Sequence, residues 1–514
     1  MEATEALSRE SNGLLARIRS LIDRAIDLDF SQPLAFAAFA LVYVLSRIPW
    51  LDMGYGTDPD AWRVALTADY LWTEGEYLPS RLPGYPLHEF VTAGLIKGGW
   101  VVTNLSTVAV SLAGVYLFAQ LAKKLELSSR GVLTLSFAFA PLLWINSVMT
   151  MDYMWSLTFI LAAYLALLHR QPTAAGIALG VAAGFRLTAL GMLVPFWLLL
   201  WRSDERGALR PLTLTSVAIT LGVFTPALME YGLNFLNFYD QSVSATEFVR
   251  RLGKDALGIA GALAVLGALA LSLPRLRRLP GDLARDPNVL VWVAVGVVYF
   301  GSYTRLPHEI AYLIPVFPFG FFLLSRYVSR GLLVATLAIV VLAGFVDITS
   351  PEDSGGIGSS TVTSSRIGKG MLLSDLDTLD NQLDFARELR QVASSAAVEP
   401  PAVVIMGFIY PEFVTLYQDD LEVGILEDDL EAISQLSDKG MARDLERDVI
   451  YVWLLEYDQF RQYQEAGRRI YLTADAARSN FAVYGFRPGY FDAQELALSR
   501  EDPSLGEGAA STDR

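Results

Sequence analysis

Apolar runs of about 17–22 residues recur through the first 350 positions of this 514-residue chain, each long enough to cross a hydrocarbon layer as a helix. Backbone N–H and C=O groups find no partner in lipid, so a chain patterned this way is confined to membrane helices that satisfy them internally. Roughly eleven spans are predicted by this length criterion, near 33–51, 100–122, 131–149, 153–169, 173–187, 189–201, 211–229, 256–273, 288–303, 309–325 and 331–347. The composition agrees, at 53% hydrophobic and only 18% charged.

Lys and Arg gather in alternate loops. Lys123, Lys124, Arg130, Arg202, Arg206, Arg210, Arg275, Arg277, Arg278 and Arg285 fall on the same side as the basic N-terminus. The positive-inside rule therefore predicts a cytoplasmic N-terminus and, with eleven spans, an extracytoplasmic C-terminus. Residues 1–30 read as an amphipathic cytoplasmic segment, and the first span as an uncleaved anchor. The transmembrane domain is expected over 31–348, with its first outer loop at 52–99. A Ser/Gly-rich linker covers 349–373, and 501–514 reads as a disordered tail.

Between linker and tail, residues 374–500 read as a small α/β domain. Short apolar runs at 402–407, 421–425, 449–453 and 469–473 alternate with polar helical segments near 411–418, 428–438, 457–467 and 475–483. That alternation predicts a mostly parallel sheet. The fold class expected is thus a polytopic α-helical membrane protein carrying a C-terminal α/β domain outside. The net charge of −15 falls almost wholly after residue 348, which argues against nucleic acid as a partner. The chain has no Cys, so disulfides and Cys-ligated metals are excluded.

Charged groups at membrane depth are costly unless they line a cavity or meet a partner, so their distribution points to function. Under this topology the conspicuous ones share the outer face: Asp58 and Asp60 after the first span, Arg81, His88 and Glu89 before the second, Asp152 in the turn after the third, Arg186 in the next outer turn, and Arg305 and His308 in TRLPHEIAYLIP. Asp58-Pro59-Asp60 reads either as an Asx turn opening a helix or as a carboxylate pair for a base or a cation. Three prolines and a glycine make PSRLPGYPLHEF a rigid re-entrant approach, with Arg81, His88 and Glu89 along it. Arg305, His308, Arg186 and Arg81 have the chemistry of a phosphate clamp. Glu89, His88 and Asp152 are candidates for acceptor or metal binding. A divalent cation, Mg or Mn, is an optional partner, with Asp58, Asp60 and Asp152 as its ligands.

An acidic motif in the first outer loop, a PGYPLHEF-type segment after it and Asp152 at the following outer turn together resemble the GT-C superfamily of integral-membrane glycosyltransferases. The resemblance covers 33–347 and is similar to the protein O-mannosyltransferase and aminoarabinose transferase branches. The motif here is DPD where those branches have a DE pair. The tail domain lacks the WWD-type signature of the oligosaccharyltransferase subunits. The resemblance implies transfer of a sugar from a polyprenyl-phosphate donor to a glycan, lipid or protein acceptor at the outer face, with inversion. It further implies that Asp58 or Asp60 is the base, both positions staying open. The competing classes are a transporter or flippase of lipid-linked glycans and a non-catalytic scaffold displaying the α/β domain. A transporter favours charge at mid-membrane and internal repeats, whereas this chain places charge at one face and shows no repeat.

Overall fold

The computed structural model describes residues 26–81, 83–232, 245–307, 309–348, 367–393, 395–405, 422–425, 440–452, 455, 457–473 and 493–496. The expected N-terminal segment up to 25, the linker over 349–366, the helices near 411–418, 428–438 and 475–483, and the tail at 501–514 lie outside the described residues.

The helical part begins with α1 (Pro33–Leu51), α2 (Pro59–Glu74), α3 (Pro86–Leu95) and α4 (Gly99–Lys124). Proline at the first position opens α1, α2 and α3, where its missing N–H costs nothing. Among the described residues, two helices are long and apolar enough to cross a membrane: α1 and the continuous Pro86–Lys124 stretch formed by α3 and α4. Two further candidates count if each bent pair is one span, Phe248–Leu257 with Ile259–Leu271 bent by 98° and Leu273–Arg285 with Pro287–Tyr303 bent by 105°.

Each of the eleven expected segments contains an apolar helix, but many are shorter than a crossing. The reasons are local. Pro141 divides the 131–149 segment into Arg130–Phe139 and Pro141–Asn146, because Ala140 before it is extended. The 309–325 segment starts as a 3-10 turn at Ile310–Leu313 and becomes α-helical only at Val316–Tyr327.

Two later helices pack by close backbone approach. They are α6 (Pro172–Phe185), which follows α5 (Tyr153–Leu168), and α7 (Leu209–Val223). Gly176, Gly180 and Gly184 recur at four-residue spacing along one face of α6. A Cβ on Gly176 would meet the Leu212 carbonyl oxygen at 2.7 Å, and one on Gly180 would meet Ile219 Cβ at 2.7 Å. Small residues at this spacing let helices touch where no hydrophobic force drives them together. After α8 (Pro287–Tyr303), Val316–Tyr327 and Arg330–Leu342 complete the helical part.

The chain then forms β1 (Val346–Ile348), antiparallel to β2 (Ile367–Lys369), and the long helix α9 (Met371–Ala393). The end of the expected linker at 373 thus falls inside β2 and the first turn of α9. A six-stranded sheet follows, made of β3 (Ala402–Ile405), β4 (Glu422–Ile425), β5 (Gly440–Asp444), β6 (Val449–Val452), β7 (Arg469–Leu472) and β8 (Ala493–Glu495), in the order β4-β5-β6-β3-β7-β8. The expected parallel pairing holds for β3 with β6 and β7, and for β7 with β8. β4, β5 and β6 pair antiparallel, so the sheet is mixed. The helix Tyr457–Glu465 lies within the segment expected to be helical near 457–467.

Every residue of β3 and β6 is buried, as central strands covered on both faces require. Alternate side chains divide between two cores. Val403, Ile405, Ile450 and Val452 pack with Leu455 and Phe460. Ala402, Val404, Val449 and Tyr451 join Leu379, Leu383 and Leu389 of α9 in the core that runs on into the helical part.

Gly180→Val should lower stability by about 1–3 kcal/mol through overpacking against α7. Gly222→Ala, with open space around the added Cβ, should stay within about 0.5 kcal/mol of wild type. Thermal unfolding in detergent checks both, and an unaffected Gly180→Val would contradict the close approach.

Candidate functional site

The site is assembled from element ends. Asp58 is the N-cap residue of α2, and its Oδ1 accepts from the Asp60 N–H at 2.9 Å. Asp152 precedes α5, Arg186 terminates α6, and Glu309 precedes the 3-10 turn Ile310–Leu313. Helix ends leave backbone groups unpaired and side chains free to converge. The Asx-turn reading and the carboxylate-pair reading of Asp58-Pro59-Asp60 therefore describe the same turn.

Two glycines let that turn approach its neighbours. Gly54 has φ +86°, and a Cβ there would sit 2.6 Å from Trp62 Cζ2. At Gly56, φ +145°, it would sit 2.6 Å from Met149 Cβ. Trp62 Nε1 donates to the Gly56 carbonyl at 2.7 Å, the Thr150 N–H to the Tyr55 carbonyl at 2.8 Å, and Asn104 Nδ2 to the Gly54 carbonyl at 2.8 Å. Trp62 and Tyr85 are both buried.

A chain of alternating charge runs through the site. Arg63 Nη1 lies 3.4 Å from Asp60 Oδ1, and Arg81 Nε lies 2.8 Å from Asp60 Oδ2. Arg81 Nη2 donates to Asp152 Oδ1 at 3.0 Å, and Arg186 Nη1 to Asp152 Oδ2 at 2.6 Å. Asp152 is fully buried, and Arg81 and Arg186 are nearly so. The Arg81 guanidinium lies 3.9 Å over the Tyr85 ring, and that of Arg186 lies 3.8 Å over Tyr153 and 4.6 Å over Tyr312. Aromatic faces supply part of what water would otherwise give these cations.

The third carboxylate beside Asp58 and Asp60 is Glu309, where the sequence reading had grouped Asp152. Each of the three offers an oxygen within 4.8 Å of the others, and all are half-buried. Burial and the neighbouring Asp60 charge push the Asp58 carboxyl up to about 6. Glu309, in the turn between apolar helices, is raised to about 8 by burial and by the charges of Asp58 and Asp60. Arg63, Arg81 and Arg186 face Asp58, Asp60, Asp152 and Glu309, so among the described residues this cluster has one carboxylate more than cations. Three hard oxygen donors within reach of one another fit a divalent cation of the Mg or Mn type, which would take the place of their protons.

The remaining sequence candidates fall as follows. Glu89 is buried and accepts from Tyr77 Oη at 2.5 Å, the Ser80 N–H at 2.8 Å and the Tyr85 N–H at 3.2 Å. Its carboxylate thus braces the re-entrant segment. His88 is buried against Trp155 and Phe185, with no partner at Nδ1 among the described residues. Arg305 is exposed. His308 lies outside the described residues.

Sequence reasoning did not assign the aromatic wall. Tyr153, Ser156, Arg186, Thr188, Tyr299, Tyr312 and Pro315 line a recess of about 240 Å³, part of it open to solvent. Among the described residues, Arg186 Nε, Tyr153 Oη and Tyr299 Oη are buried without a hydrogen-bond partner. Buried donors are rarely left unpaired unless something else satisfies them. In sequence a tyrosine near a span end is indistinguishable from an interfacial anchor, and only contact with Arg186 sets Tyr153 and Tyr312 apart.

No family model matches the chain, and no curated protein does. Solved structures do. The crystal structure of ArnT from Cupriavidus metallidurans bound to undecaprenyl phosphate is similar over 87% of this chain and 95% of its own, with a TM-score of 0.53 at 15% identity. The apo state of the same protein is similar over 71% of this chain and 66% of its own, with a TM-score of 0.40 at 16% identity. At these identities the first likeness is one of fold.

Asp152→Ala should cost about 3–5 kcal/mol, because two arginines are left buried beside a missing carboxylate. Denaturant unfolding in detergent measures it. The raised Asp58 and Glu309 pKa values mean that the folded state holds protons more tightly than the unfolded chain. Their contribution to stability is therefore lost as pH rises from about 4, the unfolded value, through 6 to 8. Added Mg or Mn should raise the thermal midpoint more at pH 8 than at pH 5. An equal effect at both pH values, or none, would count against a cation among these carboxylates.

Proposed function

We propose that this chain, whose fold is that of the GT-C membrane glycosyltransferases, transfers a sugar from a polyprenyl-phosphate donor to an acceptor hydroxyl. The observation that carries the reading is the junction of two chemistries within one cluster. A carboxylate of raised pKa, Asp58, stands at one end of the ion chain. At the other end Arg186, Tyr153 and Tyr299 turn unpaired donors toward a recess. The ArnT structure of similar fold is bound to undecaprenyl phosphate, which supports a lipid phosphate as the anion that those donors meet.

In this reading the acceptor oxygen attacks the anomeric carbon of the donor. The bond from that carbon to the phosphate oxygen breaks, and polyprenyl phosphate leaves with the bonding pair. The acceptor proton passes to Asp58. Asp60 is less free to take that proton, because Arg63 and Arg81 already engage both of its carboxylate oxygens. Attack from the face opposite the phosphate gives inversion. Arg186 and the tyrosine hydroxyls neutralise the departing phosphate, the kind of fixed electrostatic stabilisation that dominates in water-poor sites. A divalent cation, if held by Asp58, Asp60 and Glu309, would supply positive charge at the carboxylate end of the cluster. Asp152 and Arg81 set the positions of these groups.

Charges gathered at element ends support an interfacial site, with the donor's chain lying in lipid. The distribution of Lys and Arg supports a cytoplasmic N-terminus and an outward-facing site and tail domain. It supports about eleven crossings, of which the shorter helices would be tilted or broken members.

Purified protein in liposomes with polyprenyl-phosphate sugars tests the reading. Asp58→Asn should reduce turnover by about 10²-fold or more, and Arg186→Gln by a comparable factor. Full transfer by Asp58→Asn, by Asp60→Asn and by the double variant would sink the enzyme assignment in this form.

A further inference from the structure

Asp375 lies on α9, in the first helix of the tail domain, 317 positions after Asp58. Its carboxylate is nevertheless spent on the first outer loop. Thr57 Oγ1 donates to Asp375 Oδ1 at 2.7 Å, and Trp50 Nε1 donates to Oδ2 at 3.1 Å. Trp50 stands at the end of α1, and Thr57 is the residue immediately before Asp58. One carboxylate thus closes both ends of the loop that delivers the Asp58-Pro59-Asp60 turn. Gln382, two turns further along the same face of α9, extends its Nε2 toward the Thr57 carbonyl at 3.5 Å. Leu383, one residue on, packs toward Gly54.

A recess of about 190 Å³, part of it open to solvent, borders Thr57 and is lined among others by Gly54, Gly56, Met149, Asp375 and Leu379. Where side chains leave space, directional bonds fix the backbone. The half-buried setting favours them, since a carboxylate desolvated here is stabilised by the donors that it accepts from. Burial raises the Asp375 carboxyl to about 6, against the opposing pull of Thr57 and Trp50.

We propose that Asp375 is a positioning residue for the Asp58–Asp60 turn, so that the first helix of the tail domain holds the reacting carboxylates in register. This rests on the reading of that turn as the reacting site. Asp375 touches neither substrate nor the reacting atoms. It acts through Thr57 on the backbone that carries Asp58, and a displacement of about 1 Å there is enough to slow chemistry strongly.

Hydrogen exchange read by mass spectrometry on the full chain in detergent tests the clamp without needing turnover. The Asp60 and Ala61 amides donate to Asp58 Oδ1 and to the Asp58 carbonyl, at 2.9 and 3.0 Å, so peptides covering 57–64 report the turn. Asp375→Ala and Thr57→Val, the latter removing only the hydroxyl at nearly constant volume, should each speed exchange there by about tenfold or more. Thr57→Ser should restore it. In the liposome assay the first two should lower kcat by about tenfold or more, with donor KM kept within about twofold. Wild-type exchange at 57–64 in both variants would overturn the proposal. So would an acceleration spread equally over α2, α9 and the tail sheet, which reports lost docking instead of a local clamp. If wild-type protein transfers no sugar, the glycosyltransferase reading fails, and the exchange data still decide whether Asp375 holds the turn.

Discussion

The Asp152 carboxylate is the group on which the rest of the site depends. An exposed ion pair contributes little, because water competes for both partners. Here the carboxylate is fully buried and each of its oxygens meets a different arginine. Removing either cation would strand charge away from water, so the three side chains constrain one another. They come from three separate places: the re-entrant segment (Arg81), the start of α5 (Asp152) and the end of α6 (Arg186). A single carboxylate therefore sets the relative positions of three turns. Arg81 carries the constraint onward through Asp60 to the first loop.

The ion chain also explains why the site has two unlike ends. Toward Arg186 the fixed cation faces tyrosine rings and a recess, an environment suited to an anion. Toward Asp58 and Glu309 the carboxylates outnumber nearby cations, which suits a proton or a metal ion. Had Asp152 been neutral, Arg81 and Arg186 would repel across the gap and the two ends would not stay together. A glycosyl transfer from a lipid phosphate needs such a pairing: one end to hold the leaving group, and the other to receive the acceptor's proton.

Legibility in the sequence followed the range of the forces involved. The apolar runs and the sidedness of Lys and Arg are additive along the chain, so they located the helices and grouped Asp58, Asp60, Arg81, Asp152 and Arg186 before any contact was known. Helix breaks were less visible, because they depend on single residues such as Pro141, or on Gly258 with its φ of +74° at a 98° bend. Pairing within the site was not legible at all. Nothing in the chain's order says that Asp152 meets two arginines while Glu309 joins Asp58, since both choices satisfy the same charge pattern. The tyrosine wall was hidden for a related reason: an interfacial Tyr and a Tyr stacked on a buried arginine look alike in sequence. The glycine face of α6 went unread, although its four-residue spacing is a local signal in the sequence.

The tail domain shares an apolar core with the helices. Leu379, Leu383 and Leu389 of α9 share one apolar core with Trp50, Tyr55 and Trp62 of the first-loop region, and that core extends into one face of the sheet. At the other junction, Asp347 of β1 accepts from the Ile259 and Ala260 N–H groups at the start of a helix, at 2.7 and 2.8 Å. A domain attached through core and caps cannot be removed without exposing apolar surface on what remains. Deleting the tail would thus unsettle the first loop for reasons unrelated to Asp375. Only side-chain changes that leave the apolar contact intact separate the two roles, because the hydroxyl of Thr57 contributes to position while the leucines of α9 contribute to adhesion.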